Sequence, residues 1–178
     1  MNAPVRGLVG LLLVWPHSAA APARDRIQRG EYLVDIMGCN HCHTPRRQGP
    51  HGPEPDPSLL LSGHPAAQPV SPGPGLQGPW VWAASRTNTA FAGPWGVSFA
   101  ANLTSDRETG MGGWTDADFK AMARRGKHLG RGRDILPPMP WISLRDASDG
   151  DLEAILAYLK STRPIRNRVP DAVEPGRP

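Results

Sequence analysis

Apolar side chains are scarce in this sequence, and aromatic ones scarcer. Hydrophobic residues fill 39% of the 178 positions and aromatics 6%, whereas 21 positions are proline and 20 glycine. A core of side chains alone would be thin on that composition, and loops should be plentiful. A bulky apolar group at the centre would supply the missing surface, which composition permits without requiring. Beyond the N-terminal segment no stretch is apolar enough to cross a membrane. Basic and aromatic residues do not alternate as they would along a nucleic-acid groove, so no nucleic-acid partner is expected. There is no fixed-period repeat and no convincing strand alternation. The length suits one domain with long decorations.

The N-terminus has the layout of an export signal. Met1 to Arg6 carries one positive charge, Gly7 to Trp15 is apolar, and Ala21-Pro22-Ala23 offers a small-residue cleavage site before Arg24. The apolar run is too short to span a bilayer, so residues 1–23 read as a signal peptide, with an uncleaved anchor as the alternative. The net charge is +4. Arg124, Arg125, Lys127, Arg131 and Arg133 gather in one stretch, with Arg46 and Arg47 elsewhere. Such a patch either steers the protein toward an acidic partner or is an ordinary solvated surface.

Three segments have helical periodicity. Arg24 to Met37 places Gly30, Leu33, Val34 and Met37 on one face, extended by Ile27. Thr115 to Arg125 begins with Thr115 as N-cap and Asp118 in an approximate capping box. Trp114 and Phe119 form a hydrophobic staple there, and Gly126 is the stop. Ser148 to Ser161 carries the stripe Leu152, Ile155, Leu156, Leu159 behind a Ser148 cap. Between residues 45 and 97, eleven prolines and eight glycines rule out a long helix or a central strand. Trp80, Trp82 and Trp95 suggest that the second half of this insertion packs down. Residues 163–178 read as an extended, proline-rich tail. The expected class is all-α with long loops.

Both cysteines lie in Cys39-Asn40-His41-Cys42-His43, the C-x-x-C-H spacing of covalent haem attachment. Two thiols one helical turn apart can each add to a vinyl group of one haem, and the next imidazole then reaches the iron. His43 is the candidate proximal ligand, its other nitrogen donating to a backbone carbonyl. Three rivals share part of the pattern. A thioredoxin-like dithiol needs a βαβ setting that is missing, and a zinc site would have to recruit His51, His64 or His128 without a second paired motif. A disulfide would have too few residues between its sulfurs. One motif implies one haem. His41, between the cysteines, reads as a surface residue.

The second axial position is less constrained. Met139 sits in Leu136-Pro137-Pro138-Met139-Pro140-Trp141, a stiff extended strap suited to holding a thioether against a metal. Met139 could instead plug a gap in the core. Met122 shares a helical face with Phe119 and suits the core, and Met111 lies on glycine-rich backbone. His128 competes as a bis-imidazole ligand, and an open sixth site would mean gas binding or peroxidase chemistry. Trp95, Trp114 and Trp141 either line the haem pocket or simply pack.

Taken in order, these segments resemble the bacterial class I c-type cytochromes, especially periplasmic monohaem cytochromes and dehydrogenase-associated cytochrome subunits. The resemblance runs from about Gly30 to Pro170. It rests on Gly30-Glu31-Tyr32-Leu33, the haem motif with Thr44, Ala101-Asn102-Leu103-Thr104, and Thr109 through Thr115. The Met139 strap and Asp151 through Leu159 complete it. The resemblance implies a class I cytochrome c fold over residues 24–162, with three main helices around one haem c and its iron. Cys39 and Cys42 would hold the haem, His43 would be the proximal ligand and Met139 the distal one. Helices one and last would cross, Gly30 letting Tyr158 or Leu159 approach. The long insertion, and Ile142-Ser143 where relatives often carry an aromatic, depart from the family pattern. The implied function is a periplasmic electron carrier with no substrate turnover of its own, acting alone or as a subunit of an oxidoreductase complex. Its partners would be redox proteins: a dehydrogenase, an oxidase or another cytochrome. The mature chain would have no transmembrane segment unless the signal stays on as a tether. The alternative is a haem enzyme or a gas or redox sensor with an open or displaceable distal ligand.

Overall fold

The computed structural model describes residues 23–70 and 79–175. The expected export signal lies outside them, except for Ala23, which opens the first helix. Helix α1 runs Ala23–Ile36 and buries Gly30, Leu33 and Val34, the face that periodicity marks. Gly38, in the left-handed region at φ 71°, ends this helical stretch and turns the chain into the short helix α2, Cys39–His43.

Helix α3, Asp116–Arg125, starts at a complete capping box. The Thr115 hydroxyl accepts from the Asp118 amide at 3.1 Å, and the Asp118 carboxylate accepts the Thr115 amide at 3.2 Å. The shorter aspartate therefore does the work usually given to glutamate. Trp114 and Phe119 are both buried, as a staple requires. Helix α4, Ile142–Arg145, is a single turn that buries Leu144 and leaves Ile142 exposed. Helix α5, Asp149–Ser161, is capped by Ser148 and buries Leu152, Ala154, Ile155, Leu156 and Leu159.

The all-α expectation needs correcting: the molecule is mostly helical, but its described residues carry five short strands. β1 (Arg46–Gly49) and β2 (Gly52–Pro55) form an antiparallel hairpin with Arg46 opposite Pro55. β3 (Ala83–Ala84), β4 (Ala90–Gly93) and β5 (Gly96–Phe99) form a second antiparallel sheet in that order. None exceeds four residues, too few for alternation to rise above the alanine and glycine within them. The tail forms no helix as far as residue 175. It adds Val173 to the free edge of β5, with reciprocal Val97–Val173 backbone bonds of 2.8 and 2.9 Å. No helix among the described residues is long and apolar enough to cross a membrane.

The core gathers Leu33 and Val34 of α1, Phe119, Met122 and Ala123 of α3, and the α5 stripe, with Leu61, Met111, Trp114 and Leu144. The crossing of α1 and α5 is its tightest point. A Cβ on Gly30 would lie 1.9 Å from the Ala154 carbonyl oxygen and 2.8 Å from the Tyr158 Cβ. Tyr158 is thus one of the close neighbours anticipated for Gly30, and the Ala154 backbone is closer still. Salt bridges brace the outside: Arg29 to Asp151 at 2.9 Å, Lys120 to Glu153 at 3.0 Å and Arg124 to Asp149 at 2.7 Å. All are solvent-accessible and contribute little each.

The crossing makes a prediction. Alanine in place of a helical glycine ordinarily gains about 1 kcal/mol, but overpacking against fixed backbone costs about 3 kcal/mol. Gly30→Ala should therefore destabilise by about 2 kcal/mol, read as a lower denaturant midpoint. A variant as stable as wild type would contradict the close contact.

Candidate functional site

The site is built on one helical turn. Cys39 and Cys42 occupy the first and fourth positions of α2, both half-buried and both free thiols. Burial pushes Cys39 up to about 11. Cys42 is also raised by burial, against the opposing charge of Arg46. Such thiols stay protonated at neutral pH, unlike the low-pKa nucleophile of a dithiol oxidoreductase.

His43 closes the turn and is buried. Its Nδ1 donates to the Ala101 carbonyl at 2.8 Å, because a carbonyl can only accept. That fixes the tautomer and leaves Nε2 with its lone pair, and Nε2 makes no hydrogen bond among the described residues. Burial holds the ring below the usual histidine pKa, with the Ala101 bond opposing, so the imidazole is neutral, as a metal ligand must be. The backbone around it is pinned. The His43 carbonyl accepts the Gly63 amide at 2.8 Å, and the Thr44 hydroxyl accepts the Leu61 amide at 2.9 Å.

The carbonyl that orients His43 belongs to a loop held by residues to which sequence reasoning assigned no role. Asn102 Oδ1 accepts from the Thr104 amide at 3.0 Å and hydroxyl at 2.7 Å, while its Nδ2 donates to the Ile165 carbonyl at 2.8 Å. Asn167 reaches from the tail into the insertion. Its Nδ2 donates to the Ser62 and His64 carbonyls at 2.7 and 2.9 Å, and its Oδ1 accepts the Ala66 amide at 3.0 Å. The Asn167 amide donates to Thr109 Oγ1 at 3.1 Å, and Thr109 in turn accepts from Asn102. Tail, insertion and the His43 acceptor loop are therefore one polar lattice.

Met139 lies near His43 and packs, half-buried, against the same apolar cluster as Cys39. Its strap is tied down by Ser98 of β5, whose hydroxyl donates to the Pro137 carbonyl at 2.6 Å. Trp95 Nε1 donates to the same Ser98 oxygen at 3.2 Å. Trp141 lies over Gly126, where a Cβ would sit 2.5 Å from the indole, and Trp114 belongs to the core. Met111 and Met122 are both buried in that core. His128 stands edge-on to Trp114 with ring centroids 5.1 Å apart. Both His64 nitrogens are spent, on Thr89 and on the Gln68 carbonyl, each at 2.9 Å. No three His, Cys, Asp or Glu side chains cluster as a metal site among the described residues. His41 is exposed. The basic stretch is partly neutralised, since Arg124 pairs with Asp149, Lys127 with Asp134 and Arg131 with Asp118.

The lattice can be tested through Asn167. Replacing it with alanine strands two carbonyls and an amide, for a loss of about 2 kcal/mol at this half-exposed position. Arg168→Ala, at an exposed neighbour, should leave the denaturant midpoint unchanged. Equal midpoints for Asn167→Ala and wild type would remove the clasp.

No family model matches the chain. Among curated proteins, the cytochrome c subunit of the quinone alcohol dehydrogenase of Gluconobacter oxydans is 28% identical over 168 residues, covering 92% of this chain and 28% of that protein. The gluconate 2-dehydrogenase cytochrome c subunit of Pantoea cypripedii is 27% identical across 79% of this chain and 25% of its own length. A nicotinate dehydrogenase subunit of Pseudomonas putida is 38% identical over 88 residues, 49% of this chain and 7% of its own length. The chain thus spans less than a third of the length of each of these relatives. Over most of its length, the chain is a relative of the cytochrome c subunits of bacterial dehydrogenases, and its two cysteines are consistent with the C-x-x-C-H haem motif.

Proposed function

We propose that this chain is an exported, single-haem c-type cytochrome of the class I fold that passes single electrons between redox proteins, a dehydrogenase foremost. The observation that carries the reading is His43, a buried neutral imidazole. Its Nδ1 is committed to Ala101 and it lies one residue beyond two free thiols. That donor set suits haem c. Cys39 and Cys42 would hold the porphyrin by thioether bonds, His43 Nε2 would take one axial position, and the Met139 sulfur the other. When bound, the haem supplies an iron that alternates between ferrous and ferric states. The polypeptide's part is to orient the imidazole, keep the thioether on its tied strap and exclude water. A His/Met pair favours a raised reduction potential and leaves no place for oxygen.

The dehydrogenase partner is suggested by the relatives, which are dehydrogenase subunits, and the periplasm by the N-terminal signal. On the same reading the mature domain is residues 24–162, the insertion 45–97 decorates it, and 163–178 is the tail.

Spectroscopy of the exported protein tests the reading. Haem absorbance should survive denaturation in wild type and be lost when Cys39 and Cys42 are both changed to serine. Met139→Ala should lose the sulfur–iron charge-transfer band, lower the midpoint potential, and bind carbon monoxide readily when reduced, whereas wild type should bind little. Ready carbon monoxide binding by wild type would favour the sensor or enzyme alternative. Absence of covalently held haem would sink both.

A further inference from the structure

Residues 136–140 read Leu-Pro-Pro-Met-Pro, and a proline has no N–H to donate. The segment that carries Met139 therefore has little with which to tie itself down. The Met139 amide makes a long bond, 3.4 Å, back to the Leu136 carbonyl, and the Trp141 amide donates to the Met139 carbonyl at 2.9 Å. Both bonds are local. The two ends of the strap are moored at Gly126, one through the Ile135 amide at 2.8 Å and the other through the Trp141 indole packed over it. Fixed φ angles stiffen what lies between these ends, but do not say where it lies.

Among the described residues, one side chain hydrogen-bonds to residues 136–140: Ser98, whose hydroxyl donates to the Pro137 carbonyl at 2.6 Å. Its own place is firmly set. Ser98 is buried and stands in β5 opposite Phe91 of β4. On the other edge of the strand, the neighbouring Val97 bonds to Val173 of the tail. The hydroxyl has a single proton to give. Trp95 Nε1 donates into the Ser98 oxygen at 3.2 Å, and the Phe91 carbonyl at 3.5 Å is too distant to compete well for the proton. A directed chain therefore runs from the Trp95 indole through the Ser98 hydroxyl to the strap.

We propose that Ser98 is the positioning residue for Met139, so that the insertion, through β5, keeps the distal side of the site closed. This rests on the reading of Met139 as the distal ligand. Ser98 acts through Pro137, two residues before the thioether, and touches neither the sulfur nor the iron. Without its hydroxyl the stiff strap can swing about its moored ends, carrying the thioether away and admitting a small ligand. The insertion is then a backstop for the strap, with the tail holding the backstop from behind.

The test is titration of the ferric holoprotein with imidazole, which competes with Met139 for the sixth position. Wild type is compared with Ser98→Ala, Ser98→Thr and Gly30→Ala, and the sulfur–iron charge-transfer band reports displacement. Loss of one hydrogen bond from the closed state should make Ser98→Ala bind imidazole on the order of tenfold more tightly. Ser98→Thr keeps the hydroxyl and should stay near wild type. Gly30→Ala weakens the fold elsewhere and should leave the affinity unchanged. Hydrogen exchange at the Met139 and Trp141 amides should quicken in Ser98→Ala while α1 and α5 stay protected. Wild-type affinity in Ser98→Ala, or an equal shift in Gly30→Ala, would overturn the proposal. A threonine variant binding as tightly as the alanine one overturns it too, because packing would then explain the effect. Should Ser98→Ala retain no haem, Trp95→Phe decides, since it removes the donor to Ser98. Tighter imidazole binding there supports the chain of bonds, and wild-type affinity overturns it. If Met139→Ala keeps the wild-type band, the reading of Met139 fails. If Met139→Ala loses the band while Ser98→Ala binds as wild type does, the assignment of Ser98 alone fails.

Discussion

One hydrogen bond, from His43 Nδ1 to the Ala101 carbonyl, sets the chemistry of the site. It decides which nitrogen carries the proton and leaves the other with a free lone pair. It also fixes the ring plane, because a buried imidazole held at one nitrogen has little freedom to rotate. Much of the polar structure serves this contact. Asn102, beside the acceptor, is held by Thr104 and Ile165, and the tail that carries Ile165 is held by Asn167. Disturbing any of these moves the acceptor before it moves the helix that bears His43.

Two kinds of cohesion divide the molecule. The helical frame is apolar: α1, α3 and α5 share one cluster and meet where Gly30 admits the Ala154 backbone. The insertion is held mostly by polar bonds, with Thr44, His64, Thr87, Thr89 and Asn102 all buried and all hydrogen-bonded. This resolves the thinness of the composition. Where apolar side chains run out, satisfied threonines and asparagines take over. Buried polar networks of this sort hold a structure firmly only while every member has a partner, so the unmet Arg46 Nε stands out against its surroundings.

Helices were legible in the sequence because burial and periodicity coincide there. Leu33 and Val34, the α5 stripe, and the Thr115 and Ser148 caps all read directly, since each depends on residues within a turn or two. Cys39, Cys42 and His43 were legible for the same reason. The strands were not: β3 spans two residues and β4 is Ala-Phe-Ala-Gly, with nothing for a period to act on. Asn102 was visible only as part of a resemblance, and Asn167 not at all. Their partners lie 63 and 105 residues away, a separation on which local pattern carries no information. Arg46 was visible only as one of several basic residues, because what distinguishes it is a buried Nε without a hydrogen bond among the described residues.

The tail clasp also bears on how the site comes into being. The acceptor for His43 lies 58 residues downstream, and the Asn167 bonds that steady the insertion close loops of more than a hundred residues. Closing such loops costs chain entropy that rises only slowly with length, yet contacts of this separation form late because intervening structure must be in place first. The turn bearing Cys39 and Cys42 can form early and alone, with its thiols accessible and its imidazole free to swing. The ring has a fixed direction only where the Ala101 loop, held through Ile165 and Asn167 of the tail, is in place. On the proposed reading, attachment and orientation are separable events, the first written in five consecutive residues and the second distributed over almost the entire chain.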